Sequence, residues 1–184
     1  MRKLTVFNSV SLDGYFTDEK GDMSWAHKYD PEWLDYTESN AKIGGVLLFG
    51  RKTYEMMVSF WPTEQAKKTL PHVAEGMNKS EKVVFSRTLK EVRWENTKLV
   101  DTDMVDAVRK MKNESGPDLV LMGSGTIVSQ LTGEGLIDGY QIVLSSVVLG
   151  KGRTMFEGVS KKIPLKLTGT RAFENGNVVL TYVV

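Results

Sequence analysis

With 184 residues, 41% of them hydrophobic and 26% charged, the chain is long enough to bury a core and reads as one globular domain over 1–184. A formal net charge of +1 gives no bulk electrostatic case for nucleic acid or a membrane surface as a partner. The chain has no cysteine, which excludes disulfides, thiolate nucleophiles and cysteine-ligated metals, and no apolar run approaches the ~20 residues that span a bilayer, so cytoplasm is the expected compartment.

The apolar run after Arg2 and Lys3 is short and broken by Asn8, Ser9 and Ser11, so Lys3 to Val10 reads as a strand and not as a signal peptide. Pro31 to Ile43 carries Trp33, Leu34, Thr37 and Ala41 near helical spacing, with proline suited to the first turn. Val46 to Phe49 is wholly apolar, as a strand covered on both faces would be. Arg51 to Phe60 is helical, Gln65 to Gly76 is a second short helix, and Lys82 to Ser86 is a strand. Asp103 to Asn113 is a helix with Asp103 as cap or first-turn acid. Leu119 to Met122 is another apolar strand, followed by Gly-Ser-Gly-Thr and a helix through Leu131. Tyr140 to Leu149 is a longer strand, and Leu165 to Val184 alternates around Glu174-Asn175-Gly176-Asn177, a hairpin signal. The sum is an α/β chain: a mainly parallel central sheet, helices on both faces, and an antiparallel hairpin at the C-terminal edge.

Two strand–glycine–helix junctions stand out. In VLLFGRKTYE, Gly50 follows a strand and Arg51, Lys52 and Thr53 open a helix; in LVLMGSGTIV, Gly123 and Gly125 follow a strand. Glycine lets backbone approach a phosphate, and the free N–H groups of a helix start attract anions. In open α/β sheets, ligands sit beyond the carboxyl ends of the strands. The two corners therefore read as a pyrophosphate clamp, although neither is GxGxxG and no GxxxxGK[ST] exists. Arg51, Lys52 and Arg87 lie at strand ends, where guanidinium groups suit a 2′-phosphate and favour NADP over NAD.

Two acids precede candidate elements. Asp13 sits in SVSLDGY, where Asp-Gly is also a turn signal. Asp30 directly precedes Pro31 and is placed for an N-cap. Its aromatic neighbours Trp25, Tyr29 and Trp33 also point to a carboxyl of raised pKa that binds or protonates a nitrogen heterocycle, with Glu32 as a rival. Trp25, after Gly-Asp-Met-Ser, suits a lid or a core contact. His27 and His72 have no metal-spaced partner, so no metal is expected, and Ser124 does not sit in a GxSxG elbow.

Together these segments resemble the dihydrofolate-reductase superfamily, and within it the branch that includes the C-terminal reductase domain of the bifunctional riboflavin-biosynthesis protein. SVSLDGYF, GDMSW, LLFGRKTYE, KVVFSRT, LVLMGSGTIVSQL and VVLGKGRTMF follow the family's order over residues 3 to 184. The resemblance implies a dihydrofolate-reductase-like three-layer fold, a homodimer, and hydride transfer from NADPH to a small heterocycle. It implies that Gly50, Arg51, Lys52, Thr53, Ser86, Arg87, Gly123, Ser124, Gly125, Thr126 and Ile127 line the cofactor site. Asp13 and Asp30 would be catalytic, and Trp25 and Phe156 would face the substrate.

The folate enzymes have proline where Ser24 stands, and a tail-binding arginine in the region that reads VSFWPTEQAKKTL here, where Lys67 or Lys68 is the substitute. The zinc deaminase half of the bifunctional protein needs cysteines that this chain lacks. Three functions remain open: a reductase of a phosphorylated aminopyrimidine, with Lys151 and Arg153 as phosphate candidates; a dihydrofolate or pterin reductase; and a dinucleotide-binding protein without catalysis.

Overall fold

The computed structural model describes residues 1–28 and 30–184. In chain order, β1 is Leu4–Ser11, β2 Tyr15–Thr17, and a 3-10 turn spans Ser24–Ala26. Then come α1 Pro31–Ile43, β3 Val46–Gly50, α2 Arg51–Phe60, α3 Glu64–Thr69, α4 Pro71–Lys79 and β4 Lys82–Phe85. The second half has β5 Thr97–Val100, α5 Met104–Asn113, β6 Leu119–Leu121, α6 Gly125–Gly133, β7 Gly139–Ser145, β8 Arg153–Thr154, β9 Lys166–Ala172 and β10 Val178–Val183.

The main sheet has the order β5-β4-β3-β6-β1-β7-β10-β9. The pairs from β5 to β7 are parallel and the last two are antiparallel, as expected from the alternation and the Asn-Gly hairpin. The hairpin closes with Phe173 N–H on Asn177 O at 2.9 Å and Gly176 at φ +85°. On one face α5 and α6 bring Val105, Val108, Ile127, Val128 and Leu131 onto Leu4, Val6, Leu48 and Leu121. On the other, Tyr54 of α2 and Val73 and Met77 of α4 cover Leu47, Phe49 and Val84 with Trp94. Each strand supplies alternate residues to the two layers, which is why Val46–Gly50 is buried at every position.

Three expectations need correction. The helix expected over 65–76 is two, because Leu70 leaves helical geometry (φ −136°, ψ 62°) and Pro71 starts afresh. The strand expected to reach Leu149 ends at Ser145, and the chain beyond it turns back so that Leu12 N–H reaches Val147 O at 2.8 Å. β2, β5 and β8 were not anticipated; β2 and β8 are three and two residues long, and β5 is only half-buried, so none carries a hydrophobic period.

At the carboxyl edge the sheet is stepped. Leu121, the last residue of β6, pairs with Val6, whereas β1 continues to Ser11 paired with Ser145 of β7. The stretch from Phe7 to Ser11 stands about 16 Å beyond the end of β6. β1 and β7 thus form a wall beside a ledge made by the ends of β4, β3 and β6.

Candidate active site

The glycine corners meet on that ledge. Gly50 ends β3 and Gly123 follows β6, its neighbour in the sheet, and Gly50 N–H donates to Gly123 O at 2.9 Å. The contact requires glycine at both places. A Cβ on Gly50 would lie 2.7 Å from Ser124 Oγ and 3.0 Å from Ile127 Cδ1, and Gly123 has φ +108°. Both corners start helices whose first-turn N–H groups point past the strand ends. Neither Gly50 nor Ser124 supplies a side-chain cap; Ser124 Oγ bonds Thr126 Oγ1 at 3.0 Å instead. The backbone donors of Arg51, Lys52 and Thr53 on α2, and of Gly125 and Thr126 on α6, are the ones a helix leaves for a ligand. Ile127 has its side chain buried in the core and its N–H on Ser124 O at 3.1 Å, so it shapes the corner without offering a free donor.

Beside this ledge, between α2 and the loop after β4, lies a hollow of about 560 Å³. Its walls are Arg51, Tyr54, Glu55, Val58, Thr88, Leu89, Lys90, Glu91 and Arg93. Ser86 shapes the loop by accepting from Thr88 N–H (3.2 Å) and Leu89 N–H (2.9 Å). Tyr54 Oη pins its far end by accepting from the N–H groups of Arg93 (2.8 Å) and Trp94 (3.2 Å). Arg51 pairs with Glu55 at 3.0 Å and Arg93 with Glu91 at 2.5 Å, half-exposed or exposed pairs of the kind that exchange partners at little cost. Arg87 is exposed and is not among the residues lining the hollow. Lys90, Arg93 and Tyr54 were missed from the sequence: a lysine and an arginine on a loop carry no pattern until the fold brings them opposite Arg51.

The carboxylates are elsewhere. Asp13 lies at the turn after β1, where it accepts from Ser11 Oγ (2.6 Å), Leu149 N–H (3.1 Å) and Gly150 N–H (2.7 Å). The Ser11 bond, with the two backbone donors, outweighs partial desolvation and holds its pKa below the ordinary carboxylate value. Asp30 is 5% exposed and caps α1, accepting from Glu32 N–H (2.8 Å) and Trp33 N–H (3.4 Å), while its other oxygen takes Asn175 N–H at 3.0 Å. Burial pushes its pKa up, but the backbone donors of Asn175, Glu32, Trp33 and Glu174 together push it lower. That corrects the expected raised pKa: the aromatic neighbour Trp33 instead packs edge-on to Phe173 at 5.1 Å, and Tyr29 lies outside the described residues. The rival Glu32 is engaged by Arg171 at 2.8 Å.

Trp25 is half-buried in the 3-10 turn and donates to Asp22 O at 3.1 Å. Phe156 is 43% exposed and meets Tyr140 edge-on at 5.8 Å. Neither is among the nearest neighbours of Gly50, Gly123 or Gly125. Lys151 lines a second hollow, of about 460 Å³, with Lys20, Asp18, Glu19, Leu149 and Gly150, next to the Asp13 clamp. Arg153 is in β8, paired with Thr17.

One polar residue of the wall, next to the ledge, has no role assigned from the sequence. Along β1 the inward row reads Leu4, Val6, Asn8, Val10. Asn8 is 6% exposed, and its amide nitrogen has no hydrogen-bond partner among the described residues. The sequence did contain the signal: an amide in an apolar inward row.

The family model described as RibD C-terminal domain matches residues 2–179. The chain belongs to that family. Relatives of the RibD C-terminal domain family include the uncharacterised protein YyaP of Bacillus subtilis strain 168, 28% identical over 98% of this chain and 94% of its own. Among solved structures, a protein assigned to riboflavin biosynthesis from Shewanella sp. PV-4 shares the fold, with a TM-score of 0.71 and 23% identity over 100% of this chain and 98% of that one. So does the diaminohydroxyphosphoribosylaminopyrimidine deaminase/5-amino-6-(5-phosphoribosylamino)uracil reductase of Thermotoga maritima (TM-score 0.69, 15% identity). There the match covers 99% of this chain and 56% of the other. The expected dihydrofolate-reductase-like architecture is thereby borne out.

Proposed function

We propose that this chain is an NADPH-dependent reductase of a small heterocycle, of the 5-amino-6-(5-phosphoribosylamino)uracil reductase type. The observation that carries the reading is the hydrogen-bonded pair of uncapped glycine corners at adjacent strand ends, in a chain of the RibD C-terminal domain family. When bound, NADPH supplies the hydride. The residues present fit it: the open N–H groups of α2 and α6 suit a pyrophosphate, Arg51 and Arg93 can leave Glu55 and Glu91 for a 2′-phosphate, and Lys90 lines the same hollow, with Arg87 nearby. Lys52 and Thr126 are exposed at the two helix starts and Thr53 is half-buried beside Gly123.

Asp13 and Asp30 act in their ionised forms as ties. Asp13 joins the wall formed by β1 to the Leu149-Gly150 loop, and Asp30 joins α1 to the C-terminal hairpin. Each sets the position of a loop bordering the substrate side, and neither is the proton donor, which we assign to solvent. Trp25 and Phe156 flank the substrate side, and Lys20 and Lys151 meet the substrate's phosphate in the smaller hollow. Lys67, the candidate for a folate tail, forms an exposed pair with Glu64 at 2.8 Å on α3.

A homodimer is part of the same proposal. Ile142, Leu144, Leu180 and Tyr182 share one face of β7 and β10 and remain half-buried, an apolar sheet surface suited to a second copy. No helix among the described residues is long and apolar enough to cross a membrane.

Isothermal calorimetry with NADPH and NADH, followed by turnover assays on phosphoribosylated aminopyrimidines and on dihydrofolate, tests the reading. NADPH binding with turnover of an aminopyrimidine is expected. Folded protein that takes up neither nucleotide overturns it, and binding without turnover on any substrate favours a non-catalytic role.

A further inference from the structure

The stepped edge orders the ligand groups along the sheet. The cation-lined hollow lies over the ends of β3 and β4, the glycine corners lie at β3 and β6, and the next strand is β1. A dinucleotide whose phosphorylated adenosine occupies the hollow and whose pyrophosphate occupies the corners brings its other end to β1, about three strand spacings, or ~14 Å, away from β4. At that point β1 presents Asn8.

The local geometry is specific. A Cβ added at Gly123 would stand 3.1 Å from Thr53 Oγ1 and 3.6 Å from Asn8 Oδ1, so the corner backbone, a hydroxyl and a carboxamide converge. Asn8 is buried between two valines of its row, where an apolar residue of the same size would pack without penalty. A buried amide donor without a partner is unfavourable in the free protein and is satisfied by a ligand acceptor. The nicotinamide end of the cofactor carries a planar carboxamide, whose acceptor and donors match those of an asparagine.

We infer that Asn8 reads the carboxamide of the nicotinamide ring and sets which face of the ring is turned toward the substrate. The inference rests on the cofactor reading above and adds a residue that specifies the redox end of the ligand, whereas Arg51 and its neighbours specify the adenosine end.

Two ligands separate these ends: NADPH, and 2′-phospho-ADP-ribose, which keeps the adenosine, pyrophosphate and second ribose but lacks the nicotinamide. In calorimetry, Asn8→Leu weakens NADPH binding about tenfold, the loss of a neutral hydrogen bond, and leaves 2′-phospho-ADP-ribose unchanged. Asn8→Ala, which removes the amide without adding charge or bulk, does the same to the two affinities and guards against a packing artefact of the leucine. Asn8→Leu also raises the melting temperature of the ligand-free protein, because it removes the unsatisfied amide. Equal loss on both ligands, no loss on NADPH, or a lowered melting temperature with unchanged affinity each overturns the role of Asn8 while the cofactor site stands. Wild-type protein that binds neither ligand overturns the cofactor reading and this inference with it.

Discussion

Helices α1 and α5 begin in one way, and α2 and α6 in another. Asp30 and Asp103 place carboxylate oxygens on the first-turn N–H groups of α1 and α5, at 2.8 Å and 3.0 Å. Gly50 and Ser124 give α2 and α6 no side-chain acceptor. All these helices need their opening donors satisfied. The chain satisfies α1 and α5 with its own atoms and leaves α2 and α6 open where they meet on the ledge. A capped start adds stability and an open one adds a place for an anion, so the comparison separates structural helix starts from functional ones within one sheet.

The most severe test fills an open corner. Gly123→Val puts a β-branched residue at φ +108° and a side chain against Thr53 Oγ1. It is expected to lower NADPH affinity at least about 30-fold, the equivalent of ~2 kcal/mol, in calorimetry. Binding at wild-type strength would mean that the corners do not touch the ligand. Next in size, Arg51→Ala removes a cation from the hollow and its pairing with Glu55. NADPH affinity should drop about tenfold with NADH affinity unchanged, and an equal drop for both would move the 2′-phosphate elsewhere.

The capped side predicts the opposite pattern. Asp103→Ala should cost about 1 kcal/mol in urea unfolding and leave cofactor affinity alone. Asp30 adds a pH signature. Its folded pKa is depressed, so the stability it contributes is present at neutral pH and is lost as the pH falls below about 4, through the folded value. Asp30→Asn should flatten that acid limb of the melting-temperature profile. An unchanged acid limb would mean that the carboxylate is not what ties α1 to the hairpin.

Much of the frame was legible without coordinates. Pro31–Ile43 and Arg51–Phe60 have the bounds that proline at a first turn and glycine after a strand announce. The hairpin at Asn175-Gly176 was equally local, because its turn geometry depends on two residues. The short strands were not legible: Arg153–Thr154 exists only because Tyr15–Thr17 lies beside it. Asp30 shows the same limit at the site. Its position before Pro31 suited both a cap and a proton donor, and only Asn175, 145 residues away in sequence, brings its second oxygen into a bond and directs the pKa downward.

Local chemistry was enough to mark both glycine corners, the helices they open and the cations behind the first, because backbone conformation and helix-end donors depend on neighbours in the chain. That these corners hydrogen-bond to each other, that Lys90 and Arg93 face Arg51, and that an amide in β1 adjoins Gly123 follows from the strand order. Strand order is a long-range property, set by which apolar faces pack together, and no window of sequence contains it.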